Sequence, residues 1–228
     1  MSLFIDRRQA GRVLASSLRR YAGRPDVVVL ALPRGGVPVA YEVARTLRAP
    51  LDIFVVRKLG VPGHEEFAMG ALAPGGVCVF DERIADGLGI PQEDVSRALH
   101  SAVRELTRRE HAYRGDRPPI DVSGRTVILV DDGLATGSTM RAAIAALRRQ
   151  SPAWIVVAVP VAARETCAEL SVEADDVVCA ATPQPFHAVG LWYEDFSQTP
   201  DDDVRELLAA AEREQKKRPE EQARGLPG

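Results

Sequence analysis

The sequence predicts an α/β fold, a mostly parallel central sheet with helices on both faces, and three features carry that prediction. Apolar runs of strand length alternate with amphipathic stretches along most of the chain. The run Val27–Leu32 (VVVLAL) is apolar at every position, as a strand buried on both faces requires. Turn-forming breaks such as Arg117-Pro118-Pro119 separate the units.

In chain order, Arg7–Tyr21 places Ala10, Val13, Leu14 and Leu18 on one helical face. After Val27–Leu32, a helix over Val37–Leu47 ends near Pro50. Leu51–Val56 reads as a strand that runs directly into Arg57 and Lys58. The segment 59–76 holds several glycines, two interior prolines, His64 and the acidic pair Glu65-Glu66, with no strong periodicity. A connection of that length reads as a flexible binding loop. Val77–Phe80 reads as a short strand. Pro91–Arg114 reads as a long helix, with Val95, Leu99, Val103 and Leu106 at spacings of three and four. Then follow a strand (Thr126–Val130), a helix (Ser138–Arg149), a strand (Trp154–Pro160, with Trp154 in the core), a helix (Ala163–Leu170), a strand (Asp176–Ala180) and a last helix (Val204–Lys217). Residues 212–228 are charged and end in Gly and Pro, which predicts a frayed tail.

The chain is 46% hydrophobic and 27% charged, with a formal net charge of -3. That balance argues against a nucleic-acid coat or an anionic membrane surface as partner. No apolar run approaches the roughly 20 residues of a membrane helix, and the N-terminus lacks a signal-peptide core. Cys78, Cys167 and Cys179 are far apart and odd in number, so they predict neither a metal-ligand set nor a disulfide framework. Buried apolar thiols and a cytoplasmic location are expected.

The stretch Val127–Met140 (VILVDDGLATGSTM) carries the chemistry. Its strand delivers Asp131 and Asp132 to the carboxyl end of the sheet, where ligands of such folds bind. Adjacent carboxylates there call for sugar hydroxyls, or for magnesium with its waters, as partners. Gly133 permits close backbone approach. Ala135, Thr136, Gly137, Ser138 and Thr139 then turn into a helix, and its N–H groups and hydroxyls form an anion cradle. Acceptors for a diol stand beside donors for a phosphate, which is the chemistry of a ribose 5-phosphate. The structural alternative is an Asp-Gly turn followed by a Thr-Gly-Ser helix cap. A Walker A loop is excluded because no Lys follows Gly137. A dinucleotide fingerprint fails because the acids precede the glycines.

VILVDDGLATGST closely resembles the phosphoribosyl pyrophosphate (PRPP) binding motif of type I phosphoribosyltransferases. The resemblance implies that Asp131 and Asp132 contact the ribose 2- and 3-hydroxyls, and meet Mg2+ only indirectly, while Ala135 to Thr139 wrap the 5-phosphate. It also implies a small hood over the strand ends. Residues 1–211 then form a single domain, with 59–76 as its flexible loop and 183–203 as its hood. The loop Leu32-Pro33-Arg34-Gly35-Gly36 is similar to the family's pyrophosphate loop, which commonly holds a non-proline cis peptide; Arg34-Gly35 is the candidate bond here. Arg57 and Lys58 would face the pyrophosphate, and the flexible loop would bring His64, Glu65 and Glu66 to the reaction centre. Trp192, Tyr193 and Asp195 would grip the acceptor in the hood; their alternative role is to pack the hood onto the core. The run Val189-Gly190 with Tyr193-Glu194-Asp195 is loosely similar to 6-oxopurine phosphoribosyltransferases and suggests a purine acceptor, although the usual Leu-Asp-Tyr order is missing.

The implied activity is transfer of the 5-phosphoribosyl group of PRPP to a nitrogen acceptor with release of pyrophosphate. A regulatory module that senses PRPP without turnover is the alternative, and no helix-turn-helix pattern or basic face supports it. PRPP synthesis is a third reading, weakened by the lack of an ATP-binding segment. The resemblance admits a homodimer, with Pro91–Arg114 as a contact surface.

Overall fold

Two fully buried strands, β1 (Val27–Ala31) and β6 (Thr126–Val130), lie side by side at the middle of the molecule. Every side chain along both is excluded from water, so only apolar or hydrogen-bonded residues are tolerated there. In this computed structural model, which describes residues 2–61, 64–80 and 87–224 and only the backbone of 64–69, 80 and 218–224, β1 pairs outward with β2 (Leu51–Ile53). On the other side β6 pairs with β7 (Trp154–Val161), and β7 with β8 (Asp176–Ala181). All of these pairings are parallel, in the order β2-β1-β6-β7-β8. The chain leaves β1 toward one edge and β6 toward the other. The gap between their carboxyl ends is therefore the switch point at which such sheets bind ligands.

Alternate residues of each strand feed opposite layers. Val27, Val29, Ile128 and Val130 pack with Leu14 and Leu18, which lie on and just after α1 (Arg7–Ser17), and with Val39 and Val43 of α2 (Gly36–Leu47). Val28, Leu30, Val127 and Leu129 pack on the other face with Ile144 and Leu147 of α4 (Ser138–Arg148) and Leu170 of α5 (Arg164–Leu170). Each large side chain buried this way contributes about 1.5–3 kcal/mol. The start of α1 is fixed locally: the Asp6 carboxylate accepts from the Gln9 backbone N–H at 2.6 Å, an N-cap that holds Arg7 in the first turn.

The segment expected as an irregular loop is instead mostly sheet. β3 (Arg57–Val61), β4 (His64–Ala73) and β5 (Val77–Phe80) form a small antiparallel sheet, and a short turn over Pro74–Gly76 links the last two. Register shifts on either side of Gly60 break the alternation that a pattern search relies on. The strand expected over Leu51–Val56 stops at Ile53, so Arg57 and Lys58 open the small sheet rather than end a central strand.

Other expectations are corrected as well. Val13 and Val103 are each 41% exposed, because α1 and the long helix α3 (Gln92–Arg114) bury narrower stripes than their apolar spacing suggests. Trp154 is 45% exposed at the amino end of β7 rather than in the core. Cys167 and Cys179 form a disulfide between α5 and β8, which the layering of that helix against its strand brings together; Cys78 is a half-buried free thiol. The last helix, α6 (Asp201–Arg224), continues through most of the expected tail. Its extension is docked: Glu212 pairs with Arg117 at 2.8 Å, and Glu214 accepts from the Tyr41 hydroxyl at 2.7 Å. No helix among the described residues is long and apolar enough to cross a membrane.

One buried ion pair anchors α3. Arg114 reaches both Asp52 oxygens at 3.1 Å and the Ile53 carbonyl at 3.1 Å, with side-chain exposures of 5% for Arg114 and 9% for Asp52. Removing one partner strands the other charge. Asp52→Ala should therefore destabilise the protein by roughly 3–5 kcal/mol in urea denaturation. A loss below ~1 kcal/mol would show that Glu110, 2.9 Å from Arg114, suffices alone.

Candidate active site

β6 ends in Asp131 and Asp132, and β1 ends in the loop Leu32–Gly36 beside them. The Leu32 N–H donates to the Val130 carbonyl at 2.9 Å, which holds the two loops together. Contact is so close that a Cβ on Gly36 would lie 2.7 Å from the Val130 carbonyl oxygen, and one on Gly35 would lie 2.0 Å from Asp132 Oδ2. Only glycine leaves that space for the carboxylates. Asp131 Oδ1 accepts from the Asp132 backbone N–H at 2.8 Å.

Burial pushes the Asp131 carboxyl well above its usual range, and the neighbouring Asp132 charge pushes it further. Burial also raises Asp132, and Arg7 opposes this. Arg7 Nε donates to Asp132 Oδ2 at 2.8 Å and Nη1 to the Ser197 carbonyl at 2.6 Å, while its guanidinium lies 4.0 Å from the Phe196 ring centre. Nothing in the sequence marks this residue, since an arginine at a helix start looks like a solvated charge. The groups facing the acid pair also include Tyr193, whose hydroxyl donates to the Asp132 carbonyl at 2.6 Å.

The loop beyond the acids stands open. Gly133 lies under Val189, while Ala135, Thr136, Ser138 and Thr139 are exposed. Gly137 has φ +70°, a left-handed turn that starts α4 and leaves its first N–H groups without intrahelical acceptors. Thr166 of α5 supports the loop from behind, donating to the Ala135 carbonyl at 2.6 Å. Nothing local in the sequence marks Thr166 for that task.

Arg34 sits in a cavity of about 300 Å³ between the two loops, lined also by Pro33, Val55, Thr139 and Tyr113. The cis peptide is Pro33-Arg34, one bond earlier than expected. Arg57 and Lys58 line an adjoining, larger groove of about 780 Å³ between β3 and α3, which shares Val56 and Arg109 with that cavity. Lys58 reaches back from there, its Nζ donating to Ser138 Oγ at 2.6 Å, so it joins the loop that follows the acids. The side chains of His64, Glu65 and Glu66 lie outside the described residues.

The proposed acceptor residues divide. Tyr193 is 5% exposed and packs between Phe4, at 5.4 Å, and Phe196, at 5.0 Å. Trp192 is half-buried and stacks on Phe186 at 6.2 Å, and its Nε1 meets no acceptor among the described residues. Asp195 is exposed in an open groove that Arg7 also lines. The N-terminal residues brace this hood: the Glu194 N–H donates to the Phe4 carbonyl, and the Asp195 N–H to that of Ile5.

A parallel sheet whose switch point holds a carboxylate pair, an open anion loop and a cationic cavity matches a known family. The model of the phosphoribosyl transferase domain matches residues 6–191. The chain belongs to that family. It is 45% identical over 214 residues to the Mycobacterium tuberculosis protein Rv0571c, which bears a provisional phosphoribosyl transferase name; the match covers 94% of this chain and 48% of that protein. The chain thus spans about half the length of that relative. The crystal structure of TT1426 from Thermus thermophilus superposes with a TM-score of 0.80 at 43% identity, covering 92% of this chain and 99% of that one. A bifunctional PyrR protein of Roseiflexus is 31% identical over 149 residues, 62% of this chain and 58% of that protein.

Holding the acid pair in place costs stability. A carboxyl whose folded-state pKa lies above its unfolded value stabilises fully below that value, near 3.8, and loses the contribution as pH rises. Asp131→Asn should therefore stabilise the ligand-free protein at pH 7 by roughly 1–2 kcal/mol, with the gain gone by about pH 3. Urea melts at both pH values check this. Equal stability at pH 7 would mean that Arg7 offsets the pair completely.

Proposed function

We propose that this family member transfers the 5-phosphoribosyl group of PRPP to a ring nitrogen of a small-molecule acceptor, releasing pyrophosphate. The observation that carries the reading is the side-by-side placement of the acid pair and the open loop of Ala135 to Thr139, with a cation-lined cavity that borders both this loop and the one holding Arg34. In the reaction the bond between ribose C1 and the pyrophosphate oxygen breaks, and a bond from the acceptor nitrogen to C1 forms. The leaving oxygen keeps the electron pair. Asp131 and Asp132 accept the 2- and 3-hydroxyls, the N–H groups and hydroxyls of Thr136 to Thr139 hold the 5-phosphate with Lys58 behind them, and Arg34 faces the pyrophosphate. Orientation and fixed charges supply most of the rate in such a site.

The residues fit a magnesium ion that arrives with its substrate. Among the described residues no three metal-binding side chains stand together, whereas one or two carboxylates plus phosphate oxygens suit this ion. Bound there, it would neutralise charge on the departing pyrophosphate. A purine is the acceptor we favour, set against Trp192. A buried indole N–H without a protein partner is the kind of donor a ligand atom would satisfy.

Pyrophosphate release from PRPP, assayed against a panel of purine and pyrimidine bases with magnesium, tests the reading. A base-dependent signal is expected, and the Asp131→Asn/Asp132→Asn double variant should bind PRPP at least about 100-fold more weakly with its fold intact. PRPP binding without release for any base would replace transfer by PRPP sensing. Trp192→Ala should change base preference and leave PRPP affinity unaltered; loss of PRPP affinity with unchanged base preference would move the acceptor site elsewhere.

A further inference from the structure

Arg34 does not face its cavity alone. Arg108 and Arg109 of α3 line the same space, and Arg57 and Lys58 are not among its lining residues. Arg109 falls on the inward stripe of α3, at helical spacing from the buried Ala102, Leu106 and Tyr113. Its neighbours on that stripe are sealed in the core, yet its own side chain keeps 46% exposure. It lines this cavity, and the neighbouring groove of Arg57 and Lys58, rather than the core.

The cavity already holds an anion of the chain's own. The Asp201 carboxylate, at the start of α6, accepts from the Tyr113 hydroxyl at 2.8 Å and lies 3.5 Å from Arg34 Nη1. Its pKa is drawn down first by the Tyr113 hydrogen bond, which outweighs the opposing effect of burial, and then by Arg34, and Arg108 feels its charge as well. Three guanidinium groups and one carboxylate thus line the same cavity, and Arg34 is the one whose contact with that carboxylate is direct. Arg108 and Arg109 share a second partner outside, Glu105, at 2.8 and 2.7 Å, which draws its carboxyl down to about 2. These are exposed pairs, which a stronger anion can exchange at little cost. The Asp52–Arg114 anchor fixes the end of α3 one turn beyond, so both arginines are presented from a rigid support.

We propose that Arg108 and Arg109 are pyrophosphate-binding residues, which complete with Arg34 a three-guanidinium site that Asp201 fills when no ligand is bound. A forked guanidinium suits phosphate oxygens, and its fixed charge persists at any physiological pH. The inference rests on the phosphoribosyl transfer reading and names which groups take the leaving half of PRPP.

Three ligands separate this claim from the reading beneath it: PRPP, inorganic pyrophosphate and ribose 5-phosphate, each titrated calorimetrically with magnesium into wild type, Arg108→Met, Arg109→Met and the double variant. Each single change should weaken PRPP and pyrophosphate roughly tenfold, and the double change more. Ribose 5-phosphate, which lacks the pyrophosphate, should bind all four proteins within about twofold. Arg109→Lys should recover part of the loss. Unchanged PRPP and pyrophosphate affinities in the double variant would overturn the proposal. So would a parallel loss of ribose 5-phosphate, which would mark a merely structural role for α3. Failure of the wild type to bind ribose 5-phosphate and PRPP alike would overturn the transfer reading itself.

Discussion

Two carboxylates, adjacent in sequence and turned away from bulk water at the end of β6, are the constraint around which the rest of this molecule is arranged. Burial raises the cost of ionising both, and the Asp132 charge raises it further for Asp131. The surroundings answer in kind. Gly35 and Gly36 bring backbone rather than side chains against the pair, Arg7 supplies one guanidinium, and the Tyr193 hydroxyl occupies the Asp132 carbonyl. The arrangement stays short of full compensation, as a site does that waits for a ligand to complete it.

Distant segments converge to make that possible. Arg7 comes from the first helix, Tyr193 and Phe196 from the hood, and the N-terminal residues bind the hood backbone. Residues near the start of the chain, Phe4, Ile5 and Arg7, therefore help to build the candidate site. The fold sends each charge to a different place: Lys58 to Ser138 at the start of α4, Arg34 to the cavity, and Arg7 to Asp132.

The parts of this architecture legible in the sequence were those set by local pattern. Uniform apolar runs identified the central strands, and the order of strand, acids, glycine and hydroxyls located the loop that joins β6 to α4. What escaped was set by tertiary pairing. β3 and β4 carry register shifts and glycines, so their pairing has no period to read. Arg108 and Arg109 stand at spacings of three and four from Glu105, which is the pattern of a solvated helix face, and only packing shows that one side of it looks into a cavity. Arg7, Thr166 and the Cys167–Cys179 disulfide likewise depend on partners remote in the chain or across a layer. Of the hood aromatics, Tyr193 went to packing, whereas Trp192 kept a donor in reserve.

The central claim is that the switch point between β1 and β6 is a site for PRPP. Calorimetric titration of the wild-type chain with PRPP and magnesium at neutral pH tests it most directly. A single saturable site per chain, lost when magnesium is withheld, is the predicted result. No heat of binding at millimolar ligand would contradict the account, because the acid pair and the phosphate loop would then be bearing their costs for something other than a phosphorylated ribose.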